Sequence, residues 1–151
     1  MTMDAREIVH GSRAFEAAIL LREEVLRKPL GMVLDRNAVA TEATDIHIGV
    51  YSDDELVAYA LLRPAHPIAW MKQVAVSPAV QGKGLGRSLI EAFEARAIKE
   101  GFHSIHLHAR ETAVGFYLKL GYAPVDNDTF MQVGIPHRHM FKTIICDLTR
   151  I

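Results

Sequence analysis

The segment Val74-Ala75-Val76-Ser77-Pro78-Ala79-Val80-Gln81-Gly82-Lys83-Gly84-Leu85-Gly86-Arg87-Ser88 constrains this chain more than any other. It reads as an apolar β-branched strand, a turn opened by Ser-Pro and three closely spaced glycines, and a helix with Leu85, Leu89, Ile90, Phe93 and Ala97 at helical spacing. Glycines let a backbone approach a ligand closely. The first amides of a helix have no partner within it and carry the positive end of its dipole, so an anion there satisfies both. Lys83 and Arg87 add positive charge.

Other phosphate loops fit less well. A dinucleotide fingerprint needs G-x-G-x-x-G and an acidic residue about 20 positions on, whereas Gly82, Gly84 and Gly86 give G-x-G-x-G. A P-loop needs Lys followed by Ser or Thr after its last glycine, and Gly86 is followed by Arg87-Ser88. An ordinary strand-to-helix turn is the plain alternative.

The order Gln81-x-x-Gly84-x-Gly86 after Val-Ala-Val-Ser-Pro resembles the acyl-CoA-binding motif of the GNAT family of N-acyltransferases. Downstream, the strand Ser104 to Ala109 leads to Ala113-Val114-Gly115-Phe116-Tyr117-Leu118-Lys119-Leu120-Gly121-Tyr122, which resembles the family's A-x-x-F-Y-x-K-x-G-Y/F segment, a helix along the acyl-CoA. The resemblance implies an α+β GNAT fold, with a mixed, largely antiparallel sheet splayed between the strand before the glycine loop and the His-rich strand. It also implies transfer of an acetyl group from acetyl-CoA directly to a primary amine of a small molecule or peptide. A non-catalytic CoA-binding sensor or regulatory module is the alternative.

By the same resemblance, Val76 and the loop residues Gln81, Gly82, Lys83, Gly84, Leu85, Gly86 and Arg87 contact pantetheine and pyrophosphate through their backbone amides, and Val74, Ser88, Phe116 and Tyr117 complete the acyl-CoA site. A strand amide, at Val76 or Val74, would meet the oxyanion. Tyr117 is the candidate general acid for the departing thiolate, since a phenol of pKa about 10 is protonated at neutral pH. A packed core aromatic beside Phe116 and Leu120 is its alternative reading.

The general base is unassigned by motif. Some members carry a glutamate a few residues before the Val-Ala-Val run, but here that stretch reads Ala69-Trp70-Met71-Lys72-Gln73. Histidine titrates near neutrality. His106 and His108 share one strand face and His137 and His139 another. The strand order that the resemblance implies runs the last strand antiparallel to the His-rich one and brings His137 near His108, making these two the candidates for base or acceptor ligand. Solvated strand histidines explain most of the eight present. Four imidazoles on neighbouring strands could bind zinc or nickel, yet no familiar carboxylate or cysteine spacing accompanies them, and no metal is expected.

Composition adds exclusions. The 151 residues, 50% hydrophobic and 23% charged, suit one globular domain over 1–151. A net charge of −1 argues against general nucleic-acid binding. No run approaches membrane-spanning length, and Asp4, Arg6 and Glu7 interrupt any secretory leader. Cys146 has no partner for a disulfide and reads as a buried strand residue. A cytoplasmic protein is expected, with a homodimer compatible with the resemblance.

The remaining pattern predicts a first strand at Glu7 to His10, a helix capped by Ser12 and ended by Pro29 and Gly31, and a partly helical connection from Asp35 to Asp45. A hairpin (Ile46–Tyr51, Leu56–Arg63) follows, then a strand over Ile68–Val76 and a closing pair at Thr129–Val133 and Arg138–Asp147. Arg22 falls on the apolar face of the first helix and either pairs with a carboxylate or binds an anionic substrate group. Glu42, Asp45 and Glu111 are either solvated acids or amine-recognising ones.

Overall fold

A computed structural model describes residues 3–80, 82 and 84–144. The order is β1 (Met3–Ile8), α1 (Arg13–Arg22), α2 (Arg36–Ala40), β2 (Ile46–Ser52), β3 (Glu55–Ala65), β4 (Ile68–Val76), α3 (Leu85–Lys99), β5 (Ser104–Arg110), α4 (Val114–Lys119), β6 (Ala123–Pro124), β7 (Phe130–Gln132) and β8 (Ile135–Thr143). The strands form one sheet in the order β1-β2-β3-β4-β5-β8-β6, with β7 on β8. The expected α+β class with a largely antiparallel sheet is the one observed.

The chain divides into two compact units, Met1–Arg63 with Gln73–Phe93, and Pro64–Lys72 with Glu94–Ile151. In the first, β1 pairs antiparallel with β2, from Met3 opposite Ser52 to Ile8 opposite His47, and β2 pairs antiparallel with β3. Asp53 and Asp54 join β2 to β3 with φ of 48° and 68°, the two left-handed residues that a type I′ turn requires. Gly49 leaves room for side chains of both flanking strands, because a Cβ there would lie 2.8 Å from Ile8 Cδ1 of β1 and Leu56 Cδ1 of β3.

Ser12 caps α1, its Oγ accepting from the Phe15 amide at 3.2 Å. Phe15, Ala18, Ile19 and Leu21 then bury against Ile8, Tyr59, Leu61 and Ala75. The predicted helix does not run on uniformly. From Glu23 to Arg27 it widens into a π turn, with the Lys28 amide bonded to the Glu23 carbonyl, before a 3-10 turn at Lys28–Leu30 and a left-handed Gly31.

In the second unit, β4 pairs parallel with β5 from Ile68 opposite Ser104 to Met71 opposite Leu107. β8 covers the other edge of β5, from Ser104 opposite Thr143 to Arg110 opposite His137. His108 therefore faces His139 directly, and His137, expected near His108, stands two residues along β8 opposite Arg110. Ile105, Leu107 and Ala109 point into the core, and His106 and His108 take the other face. The first strand begins earlier than predicted and the closing hairpin turns tightly at Val133-Gly134, both with positive φ. Gln81, Lys83 and Cys146 lie outside the described residues.

Candidate active site

In the first unit, β4 ends at Val76 and a short 3-10 turn, Pro78–Val80, carries the chain to α3. Gly82 and Gly84 have φ of 84° and 75°, a region glycine enters freely, and a Cβ on either would meet nothing within 4 Å. There is open space at both glycines, just before the N-terminus of a 15-residue helix. This is where donor amides and the helix dipole favour an anion.

The side chains of the loop divide by role. Leu85 is core, 2% exposed, so it serves a ligand only through its backbone. The Ser88 amide and hydroxyl both reach the Gly84 carbonyl, at 3.1 and 3.2 Å, which ties the first helical turn to the glycine. Arg87 is exposed and pairs with Glu91 one turn on at 3.1 Å. Val74 and Val76 are half-buried. Immediately before them Gln73 has φ of 57°, a left-handed residue inside a strand that no sequence pattern signals.

In the second unit, Tyr117 lies on α4 with 6% exposure, edge-on to Phe116 at 5.1 Å and to Tyr122 at 5.7 Å between ring centroids. Burial pushes its phenol up to about 12, because the phenolate loses hydration. It stays protonated at neutral pH. Phe116 is its exposed neighbour, at 39%. A network behind the helix fixes its end: Lys142 donates to the Leu120 carbonyl at 2.8 Å and to Glu94, and the Tyr122 hydroxyl donates to Glu94 at 2.8 Å.

The two candidate bases differ in state. His137 is buried, and its Nδ1–H donates to the Ile135 carbonyl at 2.7 Å. A carbonyl only accepts, so the neutral ring keeps its lone pair on Nε2. His108 is exposed, edge-on to Trp70 and Phe130. Desolvation first, then His139 and Lys72, hold its pKa below the ordinary imidazole value. Trp70 also packs against His106 and His139, an aromatic and imidazole face that the sequence showed only as alternation. Among the described residues no group of three or more His, Cys, Asp or Glu is arranged to hold a metal ion.

Two acids proposed for amine recognition are otherwise engaged. Arg22, 1% exposed, donates to both oxygens of Glu42 at 2.7 and 2.9 Å, so the carboxylate reading of Arg22 holds. Asp45 pairs with Arg63 at 2.9 Å. Beside the first pair, His47 Nε2–H donates to the Glu42 carbonyl at 3.0 Å, which leaves Nδ1 to accept from the Tyr59 hydroxyl at 2.7 Å.

The sequence profile of the Acetyltransferase (GNAT) family matches residues 13–122, and this chain belongs to that family. Among its relatives, Bacillus subtilis (strain 168) supplies the uncharacterized protein YyaT, 32% identical over 68% of this chain and 69% of that protein. The same organism's uncharacterized N-acetyltransferase YjcF is 27% identical over 89% of this chain and 96% of that one. The crystal structure of a Lactobacillus plantarum protein assigned as an N-acetyltransferase superposes with a TM-score of 0.84 at 26% identity, over 96% of this chain and 100% of that one. The fold is thus the GNAT fold, and the family uses acetyl-CoA as acyl donor. No described helix is long and apolar enough to cross a membrane.

Proposed function

We propose that this protein transfers the acetyl group of acetyl-CoA to a primary amine, as one domain spanning the chain. The observation that carries the reading is the pair of open, left-handed glycines, Gly82 and Gly84, at the start of α3. Their amides, with those of Leu85 to Arg87, suit the pyrophosphate, and Gln81 and Lys83 belong to the same sequence motif. Phe116, exposed beside Tyr117, offers an apolar surface to the pantetheine arm.

The chemistry needs three groups. His137 Nε2 accepts a proton from the attacking amine, with His108, held below the ordinary imidazole pKa, the second candidate. A strand amide at Val74 or Val76 stabilises the oxyanion as the amine adds to the thioester carbonyl. Tyr117 gives its proton to the sulfur as the C–S bond breaks, so the products are the acetamide and free CoA thiol. Holding amine and thioester in attack geometry contributes about 7 to 11 kcal/mol towards lowering the barrier.

The test is a calorimetric titration with acetyl-CoA on the wild type and on Gly86→Glu. Gly86 lies within α3, so glutamate is tolerated by the helix while its carboxylate repels the pyrophosphate. Saturable binding by the wild type and its loss in a variant with an unchanged melting curve support the reading. No binding by folded wild type ends it. Binding without thiol release across a panel of amines marks the non-catalytic CoA-binding module instead.

A further inference from the structure

Gln73 poses a physical problem that its own chemistry does not solve. Its φ of 57° lies in the region that a side chain bearing a Cβ disfavours, and glutamine lacks the short polar side chain that eases aspartate and asparagine into it. Such a residue persists where its surroundings hold it. The holding contact comes from 46 residues away: Arg27 Nη2 donates to Gln73 Oε1 at 3.2 Å. Arg27 also reaches the Leu26 carbonyl through Nη1, at 3.3 Å.

Both ends of this contact are irregular in the same way. Arg27 is the last residue of the π turn, whose i to i+5 bond accommodates one residue more than an α turn. Gln73 interrupts a strand in which successive peptide groups alternate regularly, and a left-handed φ is incompatible with that alternation at the peptide just before Val74. Two departures from regular structure meet in a side-chain hydrogen bond, just ahead of the residues given above to the thioester.

We propose that Arg27 is a positioning residue, whose hydrogen bond to the Gln73 side chain holds the left-handed turn in β4 that aims the following amides at the acyl donor. The purpose of the turn rests on the acetyltransferase reading; the clamp itself does not. Because glycine adopts positive φ without a Cβ penalty, a glycine at position 73 makes the clamp dispensable. A direct role of Arg27 on substrate would be indifferent to that change.

The experiment is a double-mutant cycle of Arg27→Met and Gln73→Gly, read on kcat and KM for acetyl transfer and on thermal midpoints. In the otherwise wild-type protein, Arg27→Met lowers kcat by about tenfold and moves the acetyl-CoA KM by less than about twofold. In the Gln73→Gly background the same substitution lowers kcat by less than about twofold. Gln73→Leu, which removes the acceptor instead of the donor, reproduces the loss. Equal losses in both backgrounds, no loss in either, or full activity with Gln73→Leu each overturn the proposal. Should no amine be acetylated by the wild type, the acetyltransferase reading fails and the midpoints decide the clamp. A fall of several degrees with Arg27→Met that vanishes beside Gln73→Gly supports it, and equal or absent shifts overturn it.

Discussion

His106 and His139 lie diagonally across β5 and β8, His139 standing opposite His108, and share one hydrogen bond, Nδ1 to Nε2, at 2.7 Å. One ring must donate and the other accept, so the arrangement requires at least one of them to be neutral. Desolvation first and then His139 hold His106 below the ordinary imidazole pKa. His108 and His47 are lowered as well, each chiefly by desolvation.

The sign of the resulting pH dependence follows. A histidine lowered in the folded state binds fewer protons there than in the unfolded chain, so stability is full above the unfolded pKa of about 6.5 and is lost as pH falls below it. Thermal midpoints measured from pH 8 to pH 5 should decline on the acid side. A His106→Phe variant should decline less steeply. A midpoint flat across this window would contradict the neutral pair.

Arg22→Met leaves the Glu42 carboxylate buried without its bidentate partner. Breaking a buried pair on one side costs about 3–5 kcal/mol, whereas replacing both partners by apolar residues is close to neutral. Urea denaturation should therefore show a large loss for Arg22→Met and recovery of most of it in Arg22→Met/Glu42→Leu. An unrecovered loss would mean that Arg22 stabilises through packing on Tyr59, whose ring centroid is 5.6 Å from the guanidinium carbon.

Tyr117→Phe removes one oxygen from a side chain held by ring packing. If the phenol is the proton donor, kcat falls by about 100-fold or more while acetyl-CoA affinity stays within about twofold. Turnover at the wild-type rate would remove Tyr117 from the chemistry and leave it a core aromatic.

Lys142→Met should cost about 1–3 kcal/mol, because it strands the Leu120 carbonyl and removes the cation from Glu94 and Tyr122. The loss should be accompanied by lower acetyl transfer, since the same lysine fixes the end of the helix that carries Tyr117. Guanidinium melts and initial rates measured on one preparation check both.

Features with a local cause were legible in the sequence. Asp53-Asp54 between two alternating runs predicts the hairpin, Ser12 and Gly31 bracket the first helical stretch, and β4 was read over its observed range. The glycine turn was legible because Gly82 and Gly84 take the positive φ that their residue type favours, ahead of a helix with regular apolar spacing. What was not legible depends on distant partners. The His108–His139 pairing depends on a register across 31 residues of sequence. The burial of Arg22 depends on Glu42 arriving from another element. The π turn leaves the apolar pattern of Val25 and Leu26 unchanged, and β6 is two residues long, too short for any periodicity. Gln73 is the sharpest case, since an ordinary strand residue adopts an uncommon backbone and bonds to Arg27, 46 residues away.

The pairing of β5 with β8 also orders events during synthesis. The edge of Ser104–Arg110 that β8 will occupy has to wait for Ile135–Thr143, while α4, β6 and β7 are still being made. At about 5–20 residues per second the ribosome leaves that edge unsatisfied for seconds, a template for another nascent chain. His106, His108 and Arg110 punctuate the strand, and a protonated or charged side chain at alternate positions is a modest guard against such mispairing. Yield on expression should therefore depend on the residues of this strand's solvent face even where the finished protein is indifferent to them.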